Sequence, residues 1–144
     1  MTFMDVNLWS VLVAAIATMI LGFLWYSPLL FARPWMALMG YDYNDKAKLE
    51  EMRKAAAKTY ALSFLASLAS AFVLAKIIDV ASVNSAPYGM KYGFAIWLGF
   101  VTTVQLTAAL YGRQPFKLYL INTGYQLVCY LAMGAIVATW PKLM

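Results

Sequence analysis

The chain has 144 residues, a net charge of +5, 64% hydrophobic residues and 12% charged residues. Soluble domains carry about 45–50% apolar and about 25% charged residues, so the composition excludes a typical soluble globular enzyme and a disordered tail. The length suits one domain, residues 1–144, and on so apolar a chain the basic excess reads as membrane topology rather than nucleic-acid binding. There is no histidine, and Cys129 is the single cysteine. A Cys/His zinc site, a Ser-His triad, a histidine proton relay and an intrachain disulfide are therefore excluded, and no metal or cofactor is expected.

Four runs carry no charge: 6–32, 59–75, 92–112 and 118–141. A helix needs about 20 apolar residues to cross a hydrocarbon core of roughly 30 Å. The second run is short, but Lys58 and Lys76 can extend their stems to the interface. No run alternates in polarity as a barrel strand would. The expected fold class is all-α: a four-transmembrane-helix bundle with spans at about 7–27, 58–79, 90–111 and 116–139. A short interfacial helix and a cytoplasmic extension of the second helix complete it. The first span follows Met1-Thr-Phe-Met-Asp5, which has no Lys or Arg, and it reads as an uncleaved anchor rather than a signal peptide.

Taken in order, Asn7 precedes the first span, and Asn7, Ser10, Ala14, Thr18 and Gly22 share one of its faces. Trp25 and Tyr26 sit at its end as interfacial anchors. Pro28 then stops or kinks the helix, and Ser27 can bond a carbonyl that Pro28 leaves free. Trp25, Tyr26, Ser27 and Pro28 thus form either a stop and anchor or a hinge. Residues 28–57 form the cytoplasmic connection. A short helix is expected over 34–39, closed by Gly40. Asn44 or Asp45 then caps a helix running unbroken to about residue 79, with a Leu49, Met52, Ala56, Tyr60 stripe and a Glu50–Lys54 pair. This basic segment is either a solvated extension or a surface for acidic lipids.

The second span carries a Thr59, Ser63, Ser67, Ser70 stripe. The third is less regular: Gly89, Gly93, Thr103 and Thr107 share a side, while Thr102 and Gln105 lean to another. The fourth carries Asn122, Gln126, Cys129 and Met133. Counting from the flanking charges at about 1.5 Å per residue, Thr18, Ser67, Gln105 and Gln126 fall roughly 12–14 Å from the cytoplasmic edge. Together with Asn122 they are the candidate polar layer, with Gln105 and Gln126 facing each other. The alternative is that these groups only join helices. Small-xxx-small patterns at Gly89/Gly93, Ala14/Thr18/Gly22, Ser63/Ser67 and Gly134/Ala138 allow close helix contact within the chain or between copies. Leu21-Gly-Phe23 and Leu98-Gly-Phe100 repeat in two parallel helices.

Eight basic residues (Arg33, Lys46, Lys48, Arg53, Lys54, Lys58, Arg113, Lys117) fall on one side and three (Lys76, Lys91, Lys142) on the other. The positive-inside rule puts the first group in the cytoplasm and both termini outside, in a multi-pass protein of the plasma (inner) membrane.

The block Gly22-Phe-Leu-Trp-Tyr-Ser-Pro28, with Phe31, Pro34-Trp35-Met36 and Gly40, is distinctive. Trp97-Leu-Gly-Phe100, Lys117-Leu118 and Ile121-Asn-Thr-Gly-Tyr125 come after it. Together they resemble the bacterial membrane-protein family known as domain of unknown function 1761, over nearly the whole chain. The resemblance implies four spans and brings no activity and no catalytic residues.

Two functions are open at this point. One is a polar cavity or pathway for a small neutral solute, in a transporter-like or channel-like protein. The other is a non-catalytic lipid-binding protein or an accessory subunit of a membrane complex. Expected partners are the bilayer and either a second copy or another membrane protein. An enzyme is not expected: Cys129, Asp42 and Asp45 have no adjacent base, and a mid-span thiol is inert.

Overall fold

The computed structural model describes residues 6–40 and 44–140. Asp42, Lys142 and the flank 1–5 lie outside the described residues. Among the described residues the chain is all-helical. Four segments are long and apolar enough to cross a membrane: Leu8–Trp25, Lys46–Val80, Ala86–Tyr111 and Phe116–Thr139.

Helix α1 (Leu8–Trp25) starts at Asn7, whose side-chain oxygen accepts from the Trp9 N–H at 2.9 Å and the Ser10 N–H at 3.4 Å. That satisfies donors which have no partner within the helix. Its end is set by Pro28. Residue 28 would ordinarily donate to the Leu24 carbonyl, but proline has no N–H. The Ser27 hydroxyl donates there instead, at 2.6 Å. The Phe31 N–H bonds back to the Trp25 carbonyl, reversing the chain into α2 (Ala32–Leu38). This short helix begins two residues before the expected Pro34. Gly40 comes after it at φ +81°, a conformation that favours glycine.

Helix α3 (Lys46–Val80) has 35 residues and is about 52 Å long at 1.5 Å per residue. Asp45 caps it by accepting from the Lys48 N–H at 3.1 Å. Glu50 pairs with Arg53 at 3.8 Å rather than with Lys54 as expected. Both partners are exposed, so the pair contributes little. Leu49, Met52 and Ala56 form the half-buried stripe, but Tyr60 is exposed and meets Phe23 edge-on at 5.4 Å.

The third segment begins four residues before the expected start. Ser85 is extended, and Pro87 sits in the first turn of α4 (Ala86–Ile96). The segment is also not one continuous α-helix. A π-helical turn, Trp97–Val101, separates α4 from α5 (Thr102–Tyr111). The Thr102 N–H donates to the Trp97 carbonyl five residues back. Such a turn adds one residue to the helix and rotates the downstream turns by about 100°. Under an unbroken 3.6 period, Gly89 and Gly93 would share their face with Phe100, Val104 and Thr107. The added residue replaces these with Thr102, Gln105 and Ala109, which are half-buried or buried. Phe100, Val104 and Thr107 are exposed. The irregular polar pattern of this span thus has a geometric cause. Thr103 and Thr107 bond to their own helix, at the Gly99 and Thr103 carbonyls.

Helix α6 (Phe116–Thr139) matches the expected 116–139. It is the hub, packing against α1, α3, α4 and α5, while α3 barely meets α4. The apolar core lies away from the α1–α2 turn, where Val11, Ala14, Ala71, Leu74, Ala75, Ile78, Met133 and Ala138 close together. Beside that core, α4 approaches α6 until backbones touch. A Cβ on Gly89 would strike the Gly134 carbonyl oxygen, and one on Gly134 would strike that of Gly89. One on Gly93 would strike the Tyr130 carbonyl. The small-residue patterns at Gly89/Gly93 and Gly134/Ala138 therefore serve contact within the chain.

Gly134→Ala is expected to destabilise by about 1–3 kcal/mol, because backbone cannot yield to the added methyl. Gly99→Ala in the π-turn, with nothing within 4 Å, is expected to be neutral. Melting midpoints in detergent compare the two.

Candidate functional site

Polar groups within the apolar segments converge on α6. Trp25 lies across Gly124, where a Cβ would come within 3.2 Å of its ring, and its indole N–H donates to the Ile121 carbonyl at 3.0 Å. The Tyr26 hydroxyl donates to the Asn122 side-chain oxygen at 2.7 Å. The Tyr125 hydroxyl donates to the Thr18 carbonyl at 2.8 Å, through space left by Gly22. Tyr26 is packed edge-on against both Tyr125 and Trp35, so α2 is tied to the same cluster. Trp25, Tyr26, Ser27 and Pro28 therefore stop α1 and clasp it to α6.

A second cluster lies on the α5 side. The Trp97 indole N–H donates to the Thr123 carbonyl at 2.9 Å, and the Thr102 hydroxyl is bonded to the Tyr119 hydroxyl and accepts from the Thr123 hydroxyl. Trp97 continues the Gly93 face of α4, and the π-turn is what brings Thr102 round toward α6.

Between α1, α3 and α6 lies a cleft of about 210 Å³. Thr18, Ser63, Ser67, Ser70 and Gln126 supply its polar wall, and Met19, Ala66, Cys129 and Met133 its apolar one. The buried Thr18 hydroxyl is bonded to the Ala15 carbonyl at 2.7 Å and the Ser67 hydroxyl at 3.0 Å. The Ser63 and Ser70 hydroxyls and the Gln126 amide make no hydrogen bond within the described residues. Unfilled donors and acceptors in an apolar setting are costly. Here they face open space that can hold a partner. Among the described residues, no charged one lines the cleft.

Of the expected polar layer, the structure brings Thr18, Ser67 and Gln126 together. Asn122 is instead engaged by Tyr26. Gln105 does not line the cleft, and its Oε1 is buried without a hydrogen-bond partner among the described residues. Gln105 stands six residues before the end of α5, and Gln126 ten residues after the start of α6. At about 1.5 Å per residue they differ by roughly 6 Å in depth. The near-equal spacing from Arg113 and Lys117 does not make them level, because depth is set by the helix ends rather than by charges in the turn. Tyr125 was legible only as part of the family-like block, because its role depends on the gap at Gly22 in another helix. Among the described residues, no group of acidic or Cys side chains could hold a metal ion.

A family model described as a protein of unknown function (DUF1761) matches residues 9–138. The chain belongs to the DUF1761 family. The match runs from the first turns of α1 to the last turn of α6, so the cleft and both polar clusters lie inside the family's domain. No curated protein and no solved structure matches the chain. In this DUF1761 protein the Trp-Tyr-Ser-Pro block is an α1–α6 clasp whose donors reach side chain and backbone alike.

A double-mutant cycle on Tyr26→Phe and Asn122→Leu is expected to give a coupling of about 0.6–1.7 kcal/mol, the range for interhelical hydrogen bonds in membranes. Unfolding in mixed micelles would measure it, and strict additivity would contradict the clasp.

Proposed function

We propose that this protein is a non-catalytic, multi-pass membrane protein that takes a small neutral hydrogen-bonding molecule into the α1–α3–α6 cleft, as the binding state of a transporter-like cycle. The observation carrying this reading is the open Gln126 amide beside the unpartnered Ser63 and Ser70 hydroxyls, in a cleft without charge. A charged solute would lack a counter-charge in a low-dielectric site, whereas a neutral one regains its hydrogen bonds there. The apolar core beyond the cleft supports a closed far side, so passage would require α3 to move against α1 and α6.

A panel of neutral polyols, alcohols and amides, and of charged analogues, tests it by thermal shift. Some neutral member should raise the melting midpoint of the native protein but not of Gln126→Leu, and Gln105→Leu should respond as the native protein does. Larger shifts from charged members, or none from any, would reject the proposal. Proteoliposome flux of the stabilising solute, lost in Gln126→Leu, checks the transport step.

The positive-inside rule supports cytoplasmic placement of the loops carrying Arg33 and Arg113, with both termini outside and α2 in the interface. In a Cys129→Ala background, an impermeant thiol reagent on intact cells should label Asn84→Cys and spare Gln114→Cys. The reverse pattern would invert the topology.

A second reading rests on the third segment. It leaves Phe100, Val104 and Leu110 72%, 66% and 68% exposed. That surface supports contact with lipid, a second copy or another membrane subunit. Native mass spectrometry showing defined copies or foreign partners would favour the accessory role.

A further inference from the structure

The cleft has walls on some sides and not on others. Toward the end of α3 the core closes it with Ala71, Leu74, Ala75 and Met133. Between α1 and α3, Phe23 and Tyr60 meet edge-on and bar the gap. On the remaining side α3 barely meets α4, and the buried residues of α3 (Ala71, Leu74, Ala75 and Ile78) all lie beyond its cleft-lining positions 63–70. Ser63 and Ala66, both cleft-lining, are exposed there. The opening therefore faces sideways, where a bilayer would supply hydrocarbon rather than water.

We infer that the molecule taken up is a single-chain amphiphile with a neutral hydroxyl or amide head, which slides in between α3 and α6 from the leaflet on the side of the α1–α2 turn. The inference rests on the binding role proposed for this cleft and names the class of its ligand. Ser67 lies nine residues beyond Lys58, about 13 Å along the helix. A polar head at that depth would be unsolvated in plain lipid. In the cleft, its O–H or N–H donates to the Gln126 carbonyl oxygen, and its own oxygen accepts from the Gln126 amide or a serine hydroxyl. A phosphate or carboxylate head finds no cation in the lining. The space of about 210 Å³ holds a head and several methylenes, not a whole lipid, so the tail trails through the opening into the bilayer. Met19 and Met133 supply unbranched, polarisable side chains that adjust to such a chain.

The test uses the full chain in phosphatidylcholine nanodiscs with a diazirine-bearing hexadecanol as photoprobe. Crosslinks should concentrate in segments 63–70 and 126–133. Unlabelled hexadecanol should displace them and hexadecane should not. Gln126→Leu should lower saturable labelling about tenfold, and Ser63→Ala, at an exposed position that packing does not need, should lower it measurably. Gln105→Leu should leave it unchanged. Equal competition by hexadecane, or labelling spread over the exposed Leu62 and Leu65 without displacement, would mean simple lipid contact and overturn the inference. If short neutral solutes stabilise the protein through Gln126 while hexadecanol is not bound, the amphiphile falls and the binding role stands. If neither is bound, both fall.

Discussion

A hydroxyl, indole or amide placed in hydrocarbon has no water to bond, so it must find a partner within the protein or leave the membrane. In segments long and apolar enough to cross a membrane, that constraint favours the bonds seen here, which converge on α6. Its carbonyls at Ile121 and Thr123 accept indole N–H groups from two different helices. Its Asn122 and Tyr125 side chains tie it to α1. Glycine serves the same end: Gly22, Gly124 and Gly134 each leave room for a donor or a backbone to approach. A larger residue would separate partners that nothing else could satisfy. Against this background, the Ser63, Ser70 and Gln126 groups differ from those bonded to α6 in facing a cleft, while Gln105 Oε1 and Trp140 Nε1 are buried without a partner among the described residues.

The π-turn at Trp97–Val101 obeys the same logic. A continuous α-helix would have presented Gly89 and Gly93 to α6 together with Phe100 and Thr107. The extra residue keeps the glycine contact and brings Thr102 to Tyr119 and Thr123. The bonding pattern is locally weaker, and the gain is two matched faces on one segment. It also explains why α4 and α5 form one membrane-length segment with different polar stripes.

Much of this was legible in the sequence. The bounds of α6, the unbroken run of α3 with a cap at Asn44 or Asp45, the Ser27 bond to a carbonyl released by Pro28, and the small-residue faces of α4 and α6 all arise from local chemistry. Helix ends and small-residue faces depend on neighbours three or four positions away, which a sequence displays. The candidate site was only half legible. Thr18, Ser67 and Gln126 were chosen by depth and are together. Gln105 shares that count but is elsewhere, because its helix end sets a different depth and because depth along a helix carries no information about which neighbour that helix faces.

The sequence by itself determined that the chain is helical, that four segments are long and apolar enough for a bilayer, and which residues within them are polar. Those are properties of hydropathy, charge and backbone chemistry, which act over a few turns. Only the tertiary structure decided that α6 is the hub, that a π-turn rotates the third segment, and that α3 stands off to leave a cleft beside Gln126. Each depends on how surfaces far apart in the chain fit together. The backbone contact of Gly89 with Gly134 and the donor from Tyr125 to Thr18 exist only once the helices have met.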